Sequence, residues 1–379
     1  MNLNQVMLAE EVRDGKGARA RPHHWIFTPF MTATGAFGAA TKGMTMVKFT
    51  RLALAVLAGL SASAVSAQET PTLTIYTYEG IASEWGPGPG LKAGFEETCG
   101  CTVNWVGADS SIGTLRRVQL EGDTTEADLI FGLDTAIAGE ARATGLFAEH
   151  GLELDNLALP GEWTDPNFVP FDYSHFAFVY DTDRLETPPA SFEELIALPD
   201  DFKIVVQDPR SATPGLGLVL WIKAAYGDRA AEIWEGLQPH ILTVTREWSE
   251  SYNLFLEGEA DMALSYTTSP AYHIISEGDE TIKAALFEEG HFPQIEVAGI
   301  LAASDNQDLA RDFLAYIASP KGQQVIPTTN WMFPVVDLGD DLDSAFATLP
   351  QPETTLTIPE EEITANSAAW IDEMLTAIQ

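Results

Sequence analysis

Aromatic side chains recur beside glycine, serine, threonine and asparagine in segments that the chain's pattern marks as loops. Tyr78 and Glu79 precede Trp85-Gly86-Pro87-Gly88-Pro89. Further on come Asp109-Ser110-Ser111-Ile112-Gly113, Leu133-Asp134, residues 208–215 (DPRSATPG) and Glu247-Trp248-Ser249-Glu250. The last two are residues 266–272 (YTTSPAY) and Thr328-Thr329-Asn330-Trp331. Rings are normally buried by strands and helices, whereas loops run over the surface. Several aromatic loops meeting at one sheet edge describe a pocket for a flat ligand held by stacking. Any one of these rings alone is as consistent with packing as with binding. Ser and Gly amides at helix starts suit an anion such as phosphate, while Asp109 and Asp134 read equally as helix caps.

Other chemistries lack their signatures. No GxSxG, HExxH, P-loop or GxGxxG pattern occurs. His23 and His24 lie upstream of the leader described below. His150, His175, His240, His273 and His291 show no metal-ligand spacing and read as surface or core residues. The two cysteines stand in Cys99-Gly100-Cys101, so neither a disulfide-rich scaffold nor a four-cysteine zinc site is available. In an exported protein this pair reads as a small structural disulfide, with Gly100 permitting the tight backbone. Free thiols are the alternative, and redox or metal chemistry lacks partner residues.

The elements that must position these loops alternate between strand and helix. Residues 73–78 (LTIYTY) are rich in β-formers and stop at Glu79-Gly80. Residues 90–98 carry Leu91 and Phe95 at helical spacing. A second strand follows at 101–106 (CTVNWV), a helix at 113–120 and a buried-type strand at 127–132 (ADLIFG). This βαβαβ rhythm implies an α/β fold, a parallel sheet covered by helices. It continues with strands at 176–180, 203–207, 261–266 and 295–302, and helices at 217–226, 228–237 and 308–318. In open α/β sheets ligands sit beyond the carboxyl ends of the strands, where the aromatic loops fall. The runs 168–180 and 292–303 have few polar residues and no helical partner, as strands crossing between two lobes would. The expected division is one lobe of 68–170 with 296–335 and another of 171–295. The pattern assigns the tail 336–379 to neither.

The chain has 379 residues, 45% hydrophobic and 20% charged, a globular composition long enough for roughly two cores. Its 56 acidic and 20 basic residues give a net charge of −36. Such a surface argues against nucleic acid and against anionic lipid as partners. It favours a cationic ligand at long range, although solubility or a salty habitat is the simpler account. From Met46 the chain reads as a secretory leader. Lys48 and Arg51 precede an apolar run at 52–60 (LALAVLAGL), and Val65-Ser66-Ala67 fits small-x-small cleavage. The apolar run is too short to span a bilayer. Cleavage after Ala67 would leave Gln68 first in a soluble chain of 312 residues with net charge −40, in a periplasm or outside the cell. Residues 1–45 are read as an extension upstream of a start at Met44 or Met46. The lack of a heptad or an apolar surface stripe points to a monomer.

At the loops already named the sequence resembles the periplasmic thiamine-binding proteins of bacterial ABC importers. The resemblance rests on YTYEG from Tyr76, WGPGP from Trp85, CGC from Cys99, GLD from Gly132 and GLFA from Gly145. It continues with VPFDY from Val169, QDPR from Gln207, TPGLGL from Thr213, LSYTTSPAYH from Leu264 and NWMFPV from Asn330, and so covers about 68–379. It implies a two-lobed type II periplasmic binding fold, related to ferric-ion binders and to thiaminase I. Each lobe would be a mostly parallel sheet with flanking helices, joined by two crossover strands. The transported ligand would be thiamine, thiamine monophosphate or thiamine diphosphate, with no cofactor, and the partner a membrane permease. Carried over by residue, Tyr78, Tyr272 and Trp331 would stack on the ligand rings, and Trp85, Trp248, Tyr266 and Asn330 would line the pocket. Ser110 and Ser111 stand where the family can have an Asp-Gly pair, and Ala212 where it can have a phosphate-donating serine. Three other readings compete: a polyamine binder, a ferric-ion binder, and a thiaminase-like enzyme. The enzyme would need a cysteine nucleophile in the cleft, and the cysteines here precede the second strand.

Overall fold

The computed structural model describes residues 70–159 and 161–379. The leader and its cleavage site lie outside the described residues. β1 (Thr72–Tyr78) is built of β-branched and aromatic residues that suit a strand. The short α1 (Glu79–Ala82) and then α2 (Pro87–Cys99) follow. Pro87 sits in the first turn of α2, where no N–H is needed, and Gly100 ends the helix in the left-handed region at φ 61°. β2 (Thr102–Ala108), α3 (Ser111–Glu121), β3 (Leu129–Asp134) and α4 (Thr135–Ala143) complete a βαβαβα run. β1 pairs in parallel with both β2 and β3.

β4 (Phe168–Asp181) opens the second part. It leads into α5 (Phe192–Ile196), β5 (Ile204–Gln207), α6 (Thr213–Tyr226), α7 (Ala230–Leu237) and β6 (Ile241–Thr245). Then come α8 (Trp248–Leu256), β7 (Met262–Tyr266), α9 (Pro270–Tyr272) and β8 (Ile282–Ala284). β9 (Pro293–Ile300) returns to the first sheet, followed by α10 (Gln307–Ile317), α11 (Pro320–Gln323), β10 (Phe333–Pro334) and α12 (Glu360–Ala377). The strand order is β2-β1-β3-β9-β4-β7-β5-β6. β4 belongs to both lobes: residues 168–175 pair antiparallel with β9, and residues 176–181 with β7 and β8.

Each sheet is closed by apolar faces. Leu73, Ile75, Phe95, Phe131, Phe171 and Phe313 share one core between the first sheet, α2 and α10. Phe131 and Phe171 stack there at 3.9 Å. In the second lobe the first ten residues of α6 are all buried. The Trp221 indole N–H, at that depth, donates to the Gly290 carbonyl at 2.8 Å. The tail that the pattern left unassigned has a definite place: α12 packs on α4, α6 and α7. Glu360 pairs with Arg142 of α4, and Glu373 with Lys223 of α6.

Three local expectations are corrected. Residues 247–250, read as a loop, are the N-cap and first turn of α8. Leu133-Asp134, read as a loop, ends β3, and Asp134 caps α4 directly by accepting from the Ala136 N–H at 2.9 Å. Asp109 is not a cap; Ser110 takes that place on α3, accepting from the Gly113 N–H at 3.0 Å. Cys99 and Cys101 form a disulfide. It lies at the amino end of β2, whereas β1 and β2 run in parallel toward Tyr78 and Ala108. Among the described residues no helix is long and apolar enough to cross a membrane.

Candidate functional site

The carboxyl ends of β1, β3 and β7 meet the two strands β4 and β9 where β4 passes between lobes. Asp172 on β4 stands directly opposite Glu296 on β9. In an antiparallel pair such side chains are near neighbours. Both are buried, at 0% and 4% exposure. The Asn330 side-chain N–H₂ group donates to Asp172 Oδ2 at 2.6 Å and to Glu296 Oε2 at 2.9 Å. The Tyr78 hydroxyl donates to Glu296 Oε1 at 3.0 Å, and the Tyr266 hydroxyl to Gln294 Oε1 at 3.1 Å. Asp134, 1% exposed at the end of β3, faces the same region, with Thr213 of α6 beside it. Gly132 makes room for this arrangement. It sits at φ 97°, and a Cβ there would lie 2.6 Å from the Tyr78 ring.

The electrostatics follow from burial. Among the described residues no lysine or arginine pairs with Asp134, Asp172 or Glu296. Among the described residues, Asp172 Oδ1 and Asp134 Oδ2 are buried without a hydrogen-bond partner. Loss of water pushes Asp172 up to about 7, against the hydrogen bonds from Asn330 and Glu296. Burial, and next the neighbouring Asp172 charge, hold Glu296 well above the usual carboxylate range. Two facing carboxyls in such a place disfavour ionisation of both at once. Burial pushes Asp134 up to about 6. The Tyr78 and Tyr266 hydroxyls are also raised, by burial first and then by Glu296, so both stay neutral.

Around this polar floor lie the aromatic residues. Trp331 is the only non-glycine residue with positive φ among the described residues, at 59°. Its ring meets Tyr272 edge-on at 5.2 Å, and Tyr272 is 37% exposed. Trp248 stacks on Tyr252 at 4.7 Å and donates its indole N–H to Ser265 Oγ at 2.9 Å. Trp85 is 63% exposed, and its ring and that of Tyr78 both lie against Gly80. Ser110 and Ser111 are buried at the start of α3. The adjacent Asp109 forms an ion pair with Arg246 of the other lobe. A hollow of about 380 Å³ bounded by Tyr173, Phe333, Phe346 and Leu349 adjoins the Trp331 turn, but Tyr78, Asp172 and Glu296 are not among its lining residues.

The family model of the bacterial extracellular solute-binding proteins matches residues 76–324. The chain belongs to the bacterial extracellular solute-binding proteins. This solute-binding protein is 49% identical over 314 residues to the thiamine-binding periplasmic protein of Brucella suis, covering 83% of this chain and 94% of that one. It is 46% identical over 308 residues to the thiamine-binding periplasmic protein of Escherichia coli, covering 81% and 94%. A solved periplasmic thiamin binding protein superposes with a TM-score of 0.80 at 45% identity, covering 83% of this chain and 98% of that one. The apo ferric ion-binding protein A of Pasteurella haemolytica superposes with a TM-score of 0.68 at 18% identity, covering 81% and 98%, a likeness of fold alone.

The solute-binding protein's structure joins Tyr78 and Asn330 through Glu296, places Tyr266 beside them on its own bond to Gln294, and pairs Tyr272 with Trp331. Trp85 is linked to the floor only through Gly80 and Tyr78. Trp248 is anchored to the Ser265–Ser269 hydroxyl pair rather than left loose. Sequence reasoning missed Asp172 and Glu296. A signal was present: each is the single acidic residue in an otherwise uncharged strand core, FVPFDYSHF and PQIEVAGI. A lone carboxylate in so apolar a run is buried or crosses a cleft.

Proposed function

We propose that this chain is the substrate-binding component of an ABC importer for thiamine and its phosphate esters, working in a periplasm and delivering ligand to a membrane permease. The observation that carries the reading is the buried trio Asp134, Asp172 and Glu296, which has no lysine or arginine partner among the described residues and lies beside the Tyr78 and Tyr266 side chains. A flat heterocycle with a fixed positive charge answers both features, by stacking and by charge. The similarity to proteins named for thiamine binding supports that choice of heterocycle. In this reading Tyr78, Tyr272 and Trp331 face the rings, and Trp85, Trp248, Tyr266 and Asn330 line the pocket. Ser110 and Ser111 lie at a helix start suited to the phosphate tail. Ser110 already accepts from Gly113, so its hydroxyl proton is the group left to donate.

An enzyme of the thiaminase kind would need a thiol at the carboxyl edge, and both cysteines are joined at the amino end of β2. The carboxylate trio also favours a polyamine as a second reading. Calorimetric titration with thiamine, its two phosphates, spermidine and ferric citrate tests both. The expected result is a stoichiometric complex from which thiamine is recovered intact. Tight spermidine or iron binding with none of thiamine would overturn the proposal.

A further inference from the structure

The polar floor holds more negative capacity than the ligand-free protein can keep ionised, and it lies where β4 changes sheets. Asp172 and Glu296 face one another across β4 and β9 and share the donor group of Asn330. The other groups turned toward them are Tyr78 from β1, Asp134 from the end of β3, and Tyr266 from β7 with its partner Gln294 on β9. None of these is a cation. His175, further along β4, is engaged instead with Thr355. Among the described residues, one carboxylate oxygen of Asp172 has no hydrogen-bond partner although fully buried. We propose that the Asp172–Glu296 pair is the charge-selecting element of the site: it holds a proton when empty, and a ligand with a fixed positive charge displaces that proton.

The inference rests on reading the ligand as a cation. A buried pair of carboxyls without counter-ion keeps a proton because two adjacent negative charges out of water are too costly. The raised pKa values of both groups are consistent with this. A ligand whose charge cannot be titrated supplies the missing counter-charge, and the proton leaves to bulk buffer. A neutral ligand of the same shape would leave the proton in place. The site therefore selects for charge through Asp172 and Glu296 and for shape through its rings. Linkage fixes the pH dependence: where binding releases one proton, affinity rises about tenfold per pH unit.

Thiamine binding to the intact protein, followed by calorimetry between pH 6 and 8 in two buffers of different ionisation enthalpy, counts the protons released. The expected count is between one half and one near neutral pH, with affinity rising as pH rises. Asp172→Asn and Glu296→Gln should each abolish or halve that release and weaken thiamine by about 10–100-fold at pH 8. Both should bind an uncharged ring analogue of thiamine at least as well as the unaltered protein does. Thiamine binding with no proton release and a flat pH profile would overturn this inference while leaving the proposed function standing. Absence of any thiamine binding would instead remove the function itself. The proton count on the unaltered protein needs no variant, so a misfolded substitution does not decide the matter.

Discussion

Trp331 carries a strain that its packing alone does not explain. The left-handed region costs an ordinary residue roughly 1–2 kcal/mol, and Trp331 occupies it while only half-buried against Tyr272 and the Phe333–Phe346 cluster. That turn also delivers Asn330 to both carboxyls, so one backbone conformation sets a ring and a donor at once. Trp331→Ala should weaken thiamine by roughly 1–3 kcal/mol, a factor of about 5 to 150, while ligand-free stability changes by less than about 1.5 kcal/mol. Trp331→Phe should recover part of the affinity and Trp331→Leu little, since only the first keeps a π-face. Calorimetric titration and melting without ligand separate the two effects. An unstable Trp331→Ala protein of unchanged affinity would return the residue to the core. At this scale the aromatic loops were legible, because rings beside Gly, Ser and Thr are poor core material. Asp172 and Glu296 were not, because their pairing depends on strand register, which single strands do not announce.

At the scale of elements, the parallel runs were legible from alternating strand and helix signals. The elements that escaped share a cause: their ends carry no turn chemistry. β3 passes into α4 through Asp134 with no intervening loop. α8 begins at Trp248, where an aromatic beside serine reads as loop until Tyr252 and Phe255 are seen to continue the buried face. The Cys99–Cys101 link is local in the same sense, closing the end of α2 with two residues of separation. So small a loop restricts the unfolded chain little. Replacing both cysteines by serine should cost about 1–2 kcal/mol and leave thiamine affinity unchanged, because the link lies at the far end of β2 from the site. Denaturant melts and titration of the double variant check this; a large loss of affinity would tie the disulfide to the site.

For the whole molecule, the lobes touch at the cleft through Asp109–Arg246 and through Asp134 beside Thr213. Both members of the ion pair are largely exposed, so the pair contributes at most about 1 kcal/mol and cannot by itself hold the lobes together. The lobes are also joined by α12, which packs on α4 and on α6 and α7, so ligand should add to an existing contact and close the cleft further, as in hinged domains. Small-angle scattering should show a smaller radius of gyration with thiamine than without it. Arg246→Ala should shift affinity by less than about fivefold. An unchanged radius, or a large loss in Arg246→Ala, would contradict this account. The two-lobed plan was legible in the apolar run that became β4, which pairs in both sheets, whereas the run that became β9 pairs only with β3 and β4 in the first sheet. The place of α12 was not, since it is fixed by contacts with α4, α6 and α7 that lie far away in sequence.

The strand-like segment before α12 gives the molecule its clearest acid sensitivity. His291 is fully buried, accepting at Nε2 from the Phe287 N–H at 2.7 Å and donating from Nδ1 to the Phe176 carbonyl at 2.7 Å. Its backbone holds Thr354 and Leu356, while His175 bonds the Thr355 hydroxyl at 2.9 Å. Burial pushes both histidines down to about 4, for His175 with help from His291. The unfolded chain binds these two protons near pH 6.5, so between about pH 6.5 and 4 it holds more protons than the folded one, and stability falls as pH falls. Each histidine contributes on the order of 3 kcal/mol across that window. Asp134 and Asp172, raised to about 6 and about 7, and Glu296, also raised by burial, act with the opposite sign there, because the folded state takes up their protons first. The global melting temperature should therefore vary only modestly between pH 7 and 5. The local effect should not cancel, since the histidines hold the tail and the carboxylates do not. Hydrogen exchange, corrected for its intrinsic pH dependence, should show protection over residues 350–379 lost on acidification before that of β1 and β3. In His175→Gln that loss should begin at lower pH or be smaller. Equal loss of protection in the tail and in the first sheet would show that the two histidines do not control the attachment of α12.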